Sequence, residues 1–290
     1  MLKKIILLSI FLFALHPMLT AQRRLELGIM LGPTNYQGDL SSSNIQEMAK
    51  NVGLSGGLQG KYFFNDFLGL RSAFMYGRFN GNDAYATNPE RVKRNLSFRN
   101  DIADLSLCAE VNVLRYNPKE KYNYTLFLFG GVSGYYNNPK AFYNNKWVAL
   151  QPIGTEGQYL KKYPDLKPYS RFGATLLAGG GVKMALGTQW NVTIEMSGFR
   201  AFSDHIDDVA GIAPSTYDFV EEGQVAASEL SYRGRELPGQ PRIVTVPYTR
   251  GNSSIVDWYV TGGITLTYNI YDPGSGNMFK KGHSNKCYEF

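Results

Sequence analysis

The sequence predicts an all-β protein, an eight-stranded antiparallel up-and-down transmembrane β-barrel with a filled lumen. Three observations carry that reading: eight segments alternate apolar and polar residues, prolines fall outside them, and the connections alternate between long and short. The clearest alternation is the last. Over residues 255–270, Val256, Trp258, Val260, Ile264, Leu266, Tyr268 and Ile270 share one face; Asp257, Tyr259, Thr261, Thr265, Thr267 and Asn269 share the other. A period of two with polar groups along one side marks a half-buried strand. The segment is longer than the roughly 5–6 residues usual in globular proteins. It suffices to cross a bilayer, which takes about 9–11 residues of tilted strand.

The other seven follow in order. A first strand over 24–32 sets Leu25, Leu27, Ile29 and Leu31 against Glu26, Gly28 and Met30. The second, 52–62, sets Val52, Leu54, Leu58 and Tyr62 against Ser55, Gln59 and Lys61. In the third, 67–80, Leu68, Leu70, Phe74 and Tyr76 oppose Arg71 and small residues. The fourth, 100–114, places Ala103, Leu105, Leu107, Ala109, Val111 and Val113 opposite Asp104, Ser106, Cys108, Glu110 and Asn112. The fifth, 124–136, and sixth, 171–186, are Gly-rich, with Phe127, Phe129 and Leu177 expected inside. The seventh, from Trp190, sets Trp190, Val192, Ile194 and Met196 against Asn191, Thr193, Glu195 and Ser197.

Proline cannot donate to a ladder and is excluded from central strands. Every proline from Pro33 to Pro273 lies outside the eight expected segments. The connections 33–51, 81–99, 137–170 and 203–254 are long, whereas 63–66, 115–123 and 187–189 are short. Bacterial barrels keep short turns in the periplasm and long loops outside, so an even strand count predicts both termini in the periplasm. Tyr62, Tyr124, Trp190 and Tyr268 then fall at the periplasmic girdle, and Tyr76 and Trp258 near the outer one.

Residues 1–21 read as a secretory signal peptide: Lys3 and Lys4, an apolar run from Ile5 to Leu15, and a stretch leading to Ala21. That run falls short of the roughly 20 residues of a spanning helix. Residues 22–271 form the predicted outer-membrane barrel, and 272–290 a flexible basic periplasmic tail. The whole chain carries a formal charge of +6. Without Lys3 and Lys4 it has 28 basic against 24 acidic residues, or +4, too modest an excess to call for nucleic acid. Cys108 and Cys287 make no metal or redox motif and are expected as independent thiols, though an exported compartment permits a bridge.

An eight-stranded barrel is just wide enough for side chains to fill. Glu26, Arg71, Asp104, Glu110, Lys183, Glu195 and Asp257 are expected to point inward, and buried charges must be paired. They are read as a lumenal ion-pair network, with a proton or ion path as the sharper alternative. His205 has carboxylates near it in Ser203-Asp204-His205-Ile206-Asp207-Asp208, which keeps a rim-located lipid-modifying enzyme in view. No G-x-S-x-G elbow accompanies it, and the expectation is no enzyme and no cofactor. The same Asp204, His205, Asp207 and Asp208 suit a hard cation by their oxygens, or the capping of loop backbone. Gly179-Gly180-Gly181 lacks the Lys-Ser/Thr of a phosphate loop and is read as a bulge or bend.

Four strings carry a family resemblance: Asn35-Tyr36-Gln37-Gly38-Asp39-Leu40; Phe129-Gly130-Gly131-Val132 with Asn138-Pro139-Lys140-Ala141; Trp147 through Gln158; and Ser203 through Val209. Over roughly residues 25–270 the chain resembles the PorG-type outer-membrane barrels of the Bacteroidetes, which belong to the type IX secretion system. That machine exports proteins across the outer membrane and in some organisms supports gliding motility. The resemblance implies outer-membrane lipid and the periplasmic PorK–PorN ring as partners, and no catalytic residues. Lys119, Lys121, Lys280 and Lys281, at the periplasmic end, are the candidate ring contacts. A general structural barrel of the OmpA type is the alternative.

Overall fold

A computed structural model describes residues 24–41, 44–119 and 124–271. Eight long antiparallel strands close into a ring. They are β1 (Arg24–Gln37), β2 (Gly53–Phe63), β3 (Leu68–Asn82), β4 (Ser97–Asn112), β5 (Tyr124–Tyr136), β8 (Phe172–Leu186), β9 (Trp190–Ala201) and β12 (Trp258–Tyr271). Each pairs with the next in this order, and β12 returns to β1 through Arg24↔Tyr271 to Gln37↔Trp258. The predicted up-and-down barrel is therefore the observed one. Closure removes every free strand edge from the wall, which a membrane demands because lipid offers no hydrogen bonds.

The wall is inside out relative to a soluble protein. Ile29, Leu31, Leu58, Leu128, Ile194 and Met196 point outward with 60–68% of their surface bare, while Glu26, Lys61, Thr193 and Thr265 point inward fully buried. An apolar band of this extent surrounds the whole ring, far beyond the few hundred Å² of apolar patch that a soluble monomer exposes. Lipid is the solvent that satisfies it, and the barrel spans a membrane by its strands. Among the described residues no helix is long and apolar enough to cross.

One proline departs from the expected pattern, and a second opens a strand added outside the wall. Pro33 lies inside β1, which runs five residues beyond its expected end. There the ladder to β12 lapses: Leu31 faces Ile264 and Thr34 faces Thr261, leaving Gly32 and Pro33 unpaired beside Gly262 and Gly263. A Cβ on Gly32 would lie 1.9 Å from the Gly262 carbonyl oxygen, so glycines permit the close approach where proline withholds its donor. Pro139 opens β6 (Pro139–Tyr143), the first position of a strand, where proline is tolerated. The Gly179–Gly181 run forms no bulge. Its register to β9 is unbroken from Thr175↔Ala201 to Leu186↔Trp190, and a Cβ on Gly181 would meet the Ile194 carbonyl oxygen at 2.1 Å. These glycines let two strands lie close.

The connections 64–67 and 187–189 and the described part of the third, 113–119, sit at one end with the start of β1 and the end of β12. The long ones, 38–41 with 44–52, 83–96, 137–171 and 202–257, fold over the other end as a cap. It contains helices α1 (Ile45–Lys50), α2 (Pro89–Arg94), α3 (Thr216–Glu221) and α4 (Val225–Ser231), the hairpin of β6 with β7 (Lys146–Ala149), and the short pair β10 (Ile212–Ala213) and β11 (Tyr248–Thr249). Asn44, Asn88 and Ser215 cap α1, α2 and α3 by accepting backbone N–H bonds. Two small cores hold the cap together, one of Ala141, Leu150 and Leu230, the other of Leu160, Phe219 and Ala227. The predicted signal segment and tail, with Lys121, Lys280, Lys281 and Cys287, lie outside the described residues.

Candidate functional site

The half of the lumen near the short turns is filled by charge. Arg71 on β3 reaches across to Glu195 on β9 with two bonds, at 2.8 and 2.5 Å, and lies 3.9 Å from Glu110. Glu110 on β4 also receives Lys183 Nζ at 2.7 Å and lies 3.0 Å from Lys61 Nζ. Lys183 continues to Glu26 at 3.7 Å, and Glu26 takes Arg24 Nε at 2.9 Å. All seven side chains are at most 4% exposed. The cations also lie over rings: Arg71 over Phe129, Lys183 and Arg24 over Phe63, and Lys61 over Phe127, at 4.2–5.0 Å from the centroids. Below them Tyr116, fully buried, donates its hydroxyl to Asn191 Oδ1 at 2.6 Å and fills the short-turn mouth.

This arrangement brings together five of the seven residues expected to pair: Glu26, Arg71, Glu110, Lys183 and Glu195. Asp104 and Asp257 stand apart, in a correction to the expected network. Asp104 accepts from Ser133 at 2.5 Å and from the Tyr259 hydroxyl at 2.7 Å, inside an aromatic layer. Tyr259 stacks on Phe199 with centroids 4.6 Å apart and meets Phe79 edge-on at 5.1 Å, all buried. Neutral hydroxyls satisfy Asp104 there instead of a cation. Arg24 and Lys61 join the network unpredicted; Lys61 was legible as inward-facing, but Arg24 opens its strand with no full turn of alternation behind it. Between network and aromatic layer remains a cavity of about 10 Å³, touched by Arg71, Asp104, Cys108, Phe129 and Phe199. That is about the room of one water. Cys108 faces this space, buried.

Asp257 belongs to the outer mouth, one residue before β12. Its Oδ1 accepts from the Tyr36 hydroxyl, and its Oδ2 from the Ile206 amide at 2.8 Å. Asp207, fully enclosed, accepts from the Val209 amide at 2.9 Å. Burial raises both carboxyls, Asp257 to about 7, and the charge of Asp257 raises Asp207 further. Asp204 is raised to about 8, first by burial and then by Asp257; neither of its oxygens has a hydrogen-bond partner among the described residues. Asp208 takes Thr155 and Tyr169 hydroxyls and the guanidinium of Arg250 at 3.1 Å, and Arg250 also holds Glu156 at 3.2 Å. Asn100 Nδ2 donates to the Ile206 carbonyl at 2.6 Å while its Oδ1 accepts the Asn138 amide at 2.8 Å. The loop 137–171, the 250–257 end of the loop 202–257 and Asn100 of β4 thus meet on residues 204–209.

His205 does not complete a catalytic arrangement. Its ring stacks on Tyr169 at 4.5 Å, its carbonyl accepts from Asn137, and burial lowers its basicity. No described contact sets a hydroxyl or thiol nucleophile against its imidazole. Among the described residues no group of three His, Cys, Asp or Glu side chains is disposed to hold a metal ion. Asp207 and Asp208 instead take loop amides and hydroxyls, the capping alternative. Lys119, at the short-turn end, places Nζ 4.1 Å over the Tyr271 ring.

The family described as "Domain of unknown function (DUF6089)" matches residues 3–226. No curated protein matches the chain. Among solved structures it is similar to the outer membrane protein OprG of Pseudomonas aeruginosa, at 9% identity over 87% of this chain and 97% of that one, TM-score 0.41. The attachment invasion locus protein Ail of Yersinia pestis shares 9% identity over 86% and 99%, TM-score 0.38. Neisserial surface protein A shares 10% over 84% and 96%, TM-score 0.37.

Proposed function

We propose, from the premise that the chain belongs to the DUF6089 family, that this protein is a sealed, non-enzymatic barrel of the outer membrane serving the type IX secretion machinery. One observation carries the sealed-barrel reading. The lumen is blocked at three levels, by Tyr116, by the Glu110 network and by the Tyr259 layer, with a space of about 10 Å³ between the last two. A bore filled by side chains conducts nothing, so the work of the molecule lies on its surfaces and ends.

The secretion role rests on the PorG-like strings. Those strings supply the contacts of the outer mouth: Tyr36 to Asp257, Thr155 and Glu156 to Asp208 and Arg250, and Asn138 to Asn100. In this reading the short turns face the periplasm, where Lys119, Lys121, Lys280 and Lys281 offer basic contacts to ring proteins of the PorK–PorN kind. A general structural barrel of the OmpA type has the same sealed lumen and remains the second reading. Export of cargo in a deletion strain separates them. Loss of export, restored by the intact gene, supports the secretion role; normal export removes it and leaves the structural barrel.

A further inference from the structure

On the outward face of β3 and β4 the apolar band ends abruptly in cations. Phe74 and Leu105 are register partners and half exposed, and the next outward rung is Tyr76 with Ala103. The rung beyond is Arg78 with Asp101, and the next pairs Asn80 with Arg99. Arg99 faces Lys140 on β6. Three cations therefore surround one carboxylate: Arg78 Nε at 2.8 Å, Lys140 Nζ at 3.4 Å and an Arg99 nitrogen at 3.9 Å from the Asp101 oxygens. Arg99 lies 4.4 Å over the ring of Trp147, which stiffens it, and its Nε has no partner among the described residues. Arg78 keeps 49% of its side chain exposed.

We propose that this patch binds the phosphorylated headgroup of an outer-leaflet lipid, a lipid A-type glycolipid, with its acyl chains along Phe74, Tyr76 and Leu105. The carboxylate offsets one of the three charges, leaving two to meet phosphate, and guanidinium groups match phosphate by paired N–H donors. The cations stand one and two rungs beyond the aromatic Tyr76, the level of headgroups rather than of chains. Basic clusters at that level attract anionic headgroups by about 1 kcal/mol per charge. The choice of leaflet rests on the reading that the long loops lie outside the cell; the binding itself does not.

Purified barrel in detergent is titrated with bisphosphorylated lipid A, with its dephosphorylated form and with inorganic phosphate. The expected order is tightest binding of bisphosphorylated lipid A, with inorganic phosphate far weaker for lack of chains. The double variant Arg78→Gln/Lys140→Gln is expected to weaken lipid A binding about tenfold or more, with heat-modifiable migration as the check on folding. Asp101→Asn is expected to tighten it, an outcome that a merely structural carboxylate does not give. Equal affinity for phosphorylated and dephosphorylated lipid A overturns the proposal, as does failure of Asp101→Asn to tighten binding. Surface labelling of cysteines placed in the long loops of intact cells tests the orientation separately, so inward loops with intact phosphate selectivity correct the leaflet alone.

Discussion

Lys183 Nζ on β8 lies 2.7 Å from Glu110 Oε1 on β4, with neither side chain exposed. Glu110 is the hub of the lumen, since Lys61 and Arg71 also face it. Removing one partner of a buried pair leaves an uncompensated charge at a cost of about 3–5 kcal/mol. Glu110→Gln strands Lys61, while Arg71 keeps Glu195 and Lys183 keeps Glu26, so its loss is expected within that range. Denaturant titration of the folded, heat-modifiable form measures it, and a change under about 1 kcal/mol would show that the lumen tolerates unpaired charge.

The blocked bore predicts electrical silence. Purified barrel inserted into a planar bilayer is expected to give no steady conductance. Reproducible openings in the wild-type protein contradict the sealed lumen and revive the ion path.

Arg250 ties the cap. It is 2% exposed and joins Asp208 to Glu156, so Arg250→Ala leaves two enclosed carboxylates without their cation. The cap is expected to loosen by roughly 2–4 kcal/mol while the wall persists. Limited proteolysis checks this: cleavage within 202–257 accelerates at least several-fold, and unboiled gel migration stays that of the folded barrel. Cleavage at the wild-type rate shows that Arg250 does not hold the loops.

The outer mouth should respond to pH. Asp207 and Asp257 have carboxyls raised above the ordinary value of 3.8, Asp257 to about 7, chiefly by burial. Between about pH 4 and the raised values the closed mouth holds protons that an opened mouth releases, so closure is favoured at low pH and lost as pH rises. The gradient is at most about tenfold per pH unit for each proton released. Hydrogen exchange at the Ile206 and Val209 amides, corrected for intrinsic rates, is expected to show rising opening from pH 5 to 8. Asp207→Asn flattens the trend; a wild-type profile independent of pH rejects the protonated mouth.

The barrel was legible because lipid reverses burial: Ile29 and Glu26 declare their sides by polarity alone, and the period of two survives every boundary shift. Pro33 misled because a proline rule cannot see that Gly262 and Gly263 lie across the ladder. The charge network was legible in its inward direction but not in its partners. Arg71 meets Glu195 across the lumen, from strands far apart in sequence, and the stagger of a closed barrel decides which inward charges share a level. That stagger lifts Asp104 among tyrosines and Asp257 to the mouth. Arg250, the centre of the cap, stands in a long loop with no periodicity to mark it.

Cross-linking in intact cells followed by pull-down of the tagged barrel tests the proposed role most directly. Recovery of periplasmic ring proteins, reduced when Lys119 and Lys121 are replaced by glutamine, is the predicted result. Recovery of the barrel without any ring protein, from cells in which the ring is assembled, contradicts it.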